Sequence, residues 1–119
     1  MKVAISAKDK RPDAQVDPRF GRCNYFAIVD VEQEQWDFLP NPGLSSGGGA
    51  GTYAAQELAN RGIQGVLTGS VGPNAVAVLQ AAGIEVYTGV RGTLQGAIAL
   101  YRKGRLTPAT KGTVRCSLS

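Results

Sequence analysis

Histidine is absent from this chain of 119 residues, and cysteine, methionine and tryptophan are scarce at two, one and one. Without imidazole there is no Ser-His-Asp or Cys-His constellation for nucleophilic catalysis, and no conventional zinc site. Two cysteines, Cys23 and Cys116, are too few for a disulfide scaffold. No apolar run approaches the ~20 residues of a bilayer span. Met1-Lys2 leads straight into Val3-Ala4-Ile5, too short a stretch for the core of a signal peptide. The expectation is therefore a cytoplasmic protein with no membrane partner. Acids suited to two-metal chemistry are few as well: Asp30, Glu32 and Glu85. Asp30 is expected to close an antiparallel strand at the wrong edge and Glu85 to lie inside its strand. No catalytic residue is assigned, and the chain is read as a non-enzyme.

What is present is globular: 43% hydrophobic against 18% charged residues, in a length that suits one domain. The net charge of +4 is uneven. Residues 1–102 balance nine basic against nine acidic side chains, so the excess lies in Lys103, Arg105, Lys111 and Arg115. Residues 1–103 are read as the domain and 104–119 as a basic, flexible tail. A second basic concentration, five cations against three aspartates, occupies the loop from Lys8 to Arg22.

Glycine is plentiful, with 16 residues. The run Gly47-Gly48-Gly49-Ala50-Gly51 stands just before a helical stretch from Thr52 to Arg61, and Gly69-Ser70-Val71-Gly72 and Gly89-Val90-Arg91-Gly92 repeat the arrangement. Glycines allow left-handed turns and close approach to backbone amides. A helix start behind them offers unpaired N–H groups and the positive end of a dipole, which suits an anion.

The periodicity gives an element order. Lys2 to Ala7 and Tyr25 to Val31 read as strands, and Trp36, Phe38 and Leu39 as the second arm of a hairpin that ends at Pro40-Asn41-Pro42-Gly43. A first helix places Tyr53, Ala54, Leu58 and Ala59 on one face and stops near Gly62. Strands at 64–68 and 84–88 alternate with two more helices. One starts at Pro73, carries Ala75, Val76, Val78, Leu79 and Ala82, and stops at Gly83. The other is capped by Thr93 and runs through Leu94, Ala97, Ile98 and Tyr101. The order β-β-β-α-β-α-β-α predicts an α/β, ribonuclease-H-like three-layer fold: a mixed five-stranded sheet with helices on both faces. Four loops, Lys8–Arg22, Asn41–Ala50, Gly69–Asn74 and Gly89–Gly92, should then meet at the carboxyl edge, where ligands of open α/β sheets bind.

Several readings compete for these motifs. Gly49-Ala50-Gly51-Thr52-Tyr53-Ala54 fits G-x-G-x-x-A, but about ten loop residues separate it from the preceding strand and no acid closes the next one, which weighs against a dinucleotide. The glycines could simply let a long loop enter a helix. In Asp17-Pro18-Arg19-Phe20-Gly21-Arg22-Cys23, Phe20 is expected to plug the loop into the core between two arginines able to present several donors to an anion. Cys23 reads as buried, and Cys116, in the tail, as exposed. A nucleic-acid binder acting through the tail would need exposed stacking aromatics, whereas those here fall where core packing explains them.

The segments Asp17 to Phe26, Asn41-Pro42 before Gly47–Gly51, and Thr68-Gly69-Ser70-Val71-Gly72-Pro73-Asn74-Ala75 resemble the dinitrogenase iron–molybdenum cofactor biosynthesis family. That family includes NifX-like proteins, the C-terminal domain of NifB and small orange proteins that carry a molybdenum–copper sulfide cluster. The resemblance runs from Met1 to about Arg105. It implies non-enzymatic carriage or storage of an anionic metal–sulfur cluster, either an iron–molybdenum cofactor precursor or a molybdenum–copper sulfide, and cofactor-assembly or ATPase-type protein partners. Many members have a histidine in the glycine-rich loop or beside the Pro-Arg-Phe-Gly segment; this chain has none. Holding must then be electrostatic, or through Cys23 or Cys116. On this reading Arg11, Arg19, Arg22 and Arg91 supply charge. Gly48, Gly49 and Gly51, with Ser70, Gly72 and Asn74, line the backbone-donor side. The alternative is a regulatory or scaffolding module without a cluster.

Overall fold

Lys2–Ala7 is flanked on both sides by other strands, and its inner residues Val3, Ala4, Ile5 and Ala7 are fully buried. Such a strand carries apolar side chains on both faces instead of alternating with polar ones. It is β1, the centre of the sheet in the computed structural model, which describes residues 1–45 and 50–106. Around it stand β2 (Tyr25–Asp30), β3 (Gln35–Pro40), β4 (Gly65–Leu67) and β5 (Glu85–Tyr87). The helices are α1 (Ala50–Asn60), α2 (Pro73–Ala81) and α3 (Leu94–Arg102), with a short 3-10 turn at Pro42–Ser45. The sheet order is β3-β2-β1-β4-β5. β2 is antiparallel to both its neighbours, and β4 and β5 continue parallel from β1. Thus β1, β3, β4 and β5 all point one way, as the element order requires.

Alternation along the strands sorts the core into two layers. Ala4, Phe26, Val66 and Val86 pack with Ala54, Ala55 and Leu58 of α1 and Ala75 and Leu79 of α2. Val3, Ile5, Val29, Leu67 and Tyr87 pack with Leu94, Ala97 and Ile98 of α3. Helices therefore cover both faces. Tyr87 and Tyr101 meet edge to face at 5.4 Å, and Leu106 still packs against this second layer.

The element ends follow local chemistry. Gly62 and Gly83, just beyond α1 and α2, take φ of +73° and +79°, the left-handed geometry of a helix stop. Pro73 occupies the first turn of α2, where its missing N–H costs no helical bond. The Thr93 hydroxyl caps α3 by accepting from Gly96 N–H at 3.1 Å. Four expectations need correction. α1 begins at Ala50, inside the glycine run. Its buried face is Ala54, Ala55 and Leu58, and Tyr53 turns outward, 52% exposed. Ala82 lies just past the end of α2 and is exposed. β2 ends at Asp30: Val31 N–H still bonds Met1 O in register with β1, but the chain then turns through Glu34, at φ +55°.

After β1 the chain crosses the carboxyl ends of β1 and β4. Ser6 Oγ donates to Asp17 O at 2.6 Å and accepts from the Thr68 hydroxyl at 2.8 Å, while Asp17 N–H donates back to Ser6 O at 2.8 Å. Pro18 then lies directly on Gly69: a Cβ there would be 2.5 Å from Pro18 Cα and 2.8 Å from Pro18 O. Only glycine permits that approach. Gly69→Ala should lower stability by about 1–3 kcal/mol, the usual cost of forcing an atom into filled space, read as a lower denaturation midpoint at unchanged m value. A variant as stable as the parent would mean that the crossing loop withdraws at no cost.

Candidate functional site

Four loops emerge at the carboxyl edge, and hydrogen bonds tie them together. Arg19 and Ser70 form an isolated parallel bridge, in which Phe20 N–H donates to Ser70 O at 3.1 Å and Ser70 N–H to Pro18 O at 2.7 Å. Gly89 N–H donates to Gly69 O and Val16 N–H to Gly92 O, both at 2.8 Å, which brings in the loop after β5. Asn41, at the end of β3, donates from Nδ2 to Gly21 O at 3.1 Å.

Between these loops and two helix starts lies a cleft of about 280 Å³. Phe20 and Gly21 form one wall, Gly51 and Thr52 of α1 a second, and Gly72 to Ala75 the third. Phe20 is the anchor expected of it, 1% exposed, with its ring 5.1 Å from Phe26. The first amides of any helix have no intrahelical acceptor, and here no side chain caps α2. The N-terminal ends of two helices thus border one small cleft, and that of α2 carries no side-chain cap.

The residues singled out in the sequence fall into two groups. Gly51, Gly72 and Asn74 line the cleft. Arg22 directly follows the cleft-lining Gly21, and Arg19 directly precedes Phe20; both arginines are exposed. Arg11 and Arg91 stand elsewhere. Their loops carry Ala14, Val16 and Val90 into the core layer of α3, on the other side of the sheet, and Arg11 is engaged by Asp9 at 3.5 Å and Asp13 at 3.8 Å. Ser70 also plays a different part: both its N–H and its hydroxyl donate to Pro18 O, the latter at 3.0 Å, so it latches the loop. Gly48, Gly49 and Cys116 lie outside the described residues.

Charge is arranged with care. Arg22 and Arg91 make no ion pair among the described residues. Arg19 Nε stands 3.4 Å from Asp17 Oδ1, and the Arg19 side chain is 66% exposed while that of Asp17 is 3%. The carboxylate also accepts from Arg19 N–H at 2.9 Å. A buried acid this close to the edge went unmarked in the sequence reading, although an aspartate two residues before the amide it accepts from is the signal of an Asx turn. Asn41 was read only as part of a turn, and its long-range bonds have no local signature.

Cys23 is fully buried. Its Sγ donates to Phe20 O at 3.3 Å and accepts from Asn41 Nδ2 at 3.7 Å. Burial first, and the neighbouring Asp17 charge second, push the thiol up from 9.0 to about 12. A metal ligand must be a thiolate, so this sulfur is poorly suited to the ligand role open to it from sequence. No group of three or more acidic or cysteine side chains among the described residues could hold a metal ion directly. No helix among them is long and apolar enough to cross a membrane.

Comparison with known proteins shows what the whole chain resembles. The sequence profile described as dinitrogenase iron-molybdenum cofactor matches residues 1–104. An uncharacterized protein of Methanocaldococcus jannaschii is 30% identical over 109 residues, 89% of each chain. The apo form of the orange protein from Desulfovibrio gigas superimposes with a TM-score of 0.88 at 37% identity, over 92% of each chain. A provisionally assigned NifB protein from Thermotoga gives 0.78 at 34% identity, over 90% of this chain and 91% of that one.

With Cys116 replaced by Ser, Cys23 is the sole thiol. It should resist a thiol reagent at pH 8 in the native protein and react fully in denaturant. Because folding raises its pKa, the folded state keeps the proton that the unfolded chain releases above about 9. The thiol's contribution to stability is thus complete below that pH and is lost as pH climbs toward 12. Cys23→Ala should flatten that slope. Rapid native labelling at pH 8 would contradict the sealed environment.

Proposed function

The chain belongs to the dinitrogenase iron–molybdenum cofactor family, and from that premise we propose that it binds and carries an anionic metal–sulfur cluster, without turnover. The cargo is of the iron–molybdenum precursor or molybdenum–copper sulfide type. The observation that carries this reading is the cleft of about 280 Å³ in which the N-terminal ends of α1 and α2 meet the Phe20–Gly21 loop.

The donor chemistry favours an anion held from outside. The first-turn amides at Gly51, Thr52, Asn74 and Ala75 offer N–H groups at fixed positions, and the helix dipoles add positive potential. Arg19 and Arg22, on either side of the loop, supply mobile charge and several donors each. Sulfide and oxide groups of a thiometallate accept such bonds without any protein atom binding the metal. The shortage of metal-ligating side chains among the described residues supports this mode over direct ligation. Arg11 and Arg91, on the far side of the sheet, add only long-range charge, which salt screens. The same reading takes the fold as ribonuclease-H-like, in keeping with its strand order and the single antiparallel interior strand. A cargo held by hydrogen bonds and charge can be released intact, which suits delivery to cofactor-assembly proteins.

Incubating the full chain anaerobically with tetrathiomolybdate and copper(I) should give a coloured protein that keeps a fixed metal ratio through desalting. Arg19→Ala and Arg22→Ala should each weaken binding by about tenfold or more, the usual effect of losing a hydrogen bond to a charged group, while Arg11→Ala should change it little. A chain that emerges colourless and metal-free would sink the proposal. Equal effects from all three substitutions would sink the assignment of the cleft.

A further inference from the structure

We propose that Asn41 is the positioning residue that sets the width of the anion cleft, by tying the loop on one wall to the segment that leads into the helix on the other. Its purpose rests on the cluster-binding reading; its geometry does not.

Asn41 is 6% exposed and stands where β3 ends. Its carboxamide is fully used. Nδ2 donates to Gly21 O at 3.1 Å, to Cys23 O at 2.9 Å and to Cys23 Sγ at 3.7 Å, while Oδ1 accepts from Gly43 N–H at 2.8 Å. The Asn41 N–H adds a bond to Asn24 O at 3.0 Å. One planar group thus grips the 21–24 segment with its nitrogen and the 3-10 turn at Pro42–Ser45 with its oxygen. Pro42 has no N–H, so the oxygen reaches one residue further to Gly43.

Both gripped segments belong to the cleft. Gly21 lines it, and a Cβ built on Gly51 would sit 3.9 Å from the Gly21 Cα, so the first turn of α1 rests against the loop. The turn at Pro42–Ser45 precedes α1 in the chain and packs on it. Moving Gly21 away from Asn41 would therefore shift the Phe20–Gly21 wall relative to Gly51 and Thr52. Orientation follows too. In a trans peptide the N–H points opposite to the C=O, so drawing Gly21 O toward Asn41 turns the Arg22 N–H away from Asn41. No other side chain reproduces this. Aspartate keeps the acceptor for Gly43 and loses every bond that Nδ2 donates, and alanine loses everything.

The test compares Asn41→Asp and Asn41→Ala with Val29→Ala, a cavity variant in the opposite core layer, 1% exposed in the parent. Each full chain is measured for its denaturation midpoint, for affinity and dissociation rate with tetrathiomolybdate and copper(I), and for ligand-free amide hydrogen exchange. Both Asn41 variants should bind about tenfold or more weaker through faster dissociation. They should also speed exchange at Arg22–Asn24 and Gly51–Tyr53 together, with Gly43 still protected in the aspartate variant. Val29→Ala should lose stability, bind like the parent and leave those amides unchanged. The proposal is overturned if Asn41→Ala binds like the parent, since the aspartate effect would then be added charge alone. It is equally overturned if Val29→Ala weakens binding as much as the Asn41 variants. Should the parent bind no thiometallate, the cluster reading fails on its own. The exchange result then decides this one, with acceleration confined to Gly43 or seen nowhere counting against it.

Discussion

The hydroxyl of Ser6, at the end of the central strand, bonds at once to the Asp17 carbonyl and to the Thr68 hydroxyl, and so fastens the loop after β1 to the loop after β4. That knot is buried on every side: Ser6 and Thr68 are fully inaccessible and Asp17 is 2% exposed. Buried polar groups are tolerable only when satisfied, and no buried side-chain nitrogen or oxygen among the described residues lacks a partner. With the loop pinned there, Pro18 is pressed on Gly69, Ser70 latches Pro18 O, and Phe20 drops into the core beside Phe26. The position of Gly21 and of the flanking arginines follows from these contacts. The cleft is a consequence of how one loop crosses two strand ends.

A buried carboxylate at the rim of an anion site looks counterproductive, because like charges repel. Its placement resolves the difficulty. Asp17 meets the Nε side of Arg19 and the Arg19 amide, and is otherwise enclosed. The outer edge of the guanidinium, with its remaining donors, stays in solvent. The pair thus trades part of the arginine's reach for a fixed direction, while Arg22 makes no ion pair among the described residues. Cys23, beneath the same loop, is kept as a neutral thiol by burial and by the same aspartate. A thiolate in that place would add a second negative charge beside the cleft proposed to take an anion. Burial of the sulfur therefore serves the electrostatics as well as the packing.

Much of this was legible in the sequence, and the part that was not has a common cause. Periodicity located every strand and helix, because each element buries a stripe or a face whose spacing is local. Pro73, Thr93, Gly62 and Gly83 marked helix ends because caps and stops are also local. The convergence of loops at one edge followed from element order alone. The placements that the sequence does not reveal arise where tertiary contacts decide. Tyr53 fits an apolar stripe by spacing, yet α1 is rotated so that two alanines, Ala54 and Ala55, let it approach the sheet closely. Ser70 looked like a ligand donor because nothing near it in sequence indicates that Pro18, 52 residues away, takes both its hydrogens. Arg11 and Arg91 were grouped with Arg19 and Arg22 because the linear order assigns them to the same edge. Which face of the sheet each loop leans on depends on packing of Val16 and Val90, which no pattern of charges reveals.

That division of the edge into two sides bears on how the site distinguishes its cargo. The α3 side carries charge on exposed, flexible side chains, which attract any anion and are readily screened. The α1–α2 side carries backbone amides, whose positions are set by the helices and by the loop wedged between them. Attraction can therefore be general while selection is geometric. An anion too small to reach both helix starts would leave donors unpaired, and one too large would have to displace Phe20, whose ring is fixed in the core. Rigid amides also need little reorganisation when the cargo arrives or leaves. If the chain carries a cluster as proposed, the lack of histidine and the sealed Cys23 leave backbone amides and guanidinium groups to hold it.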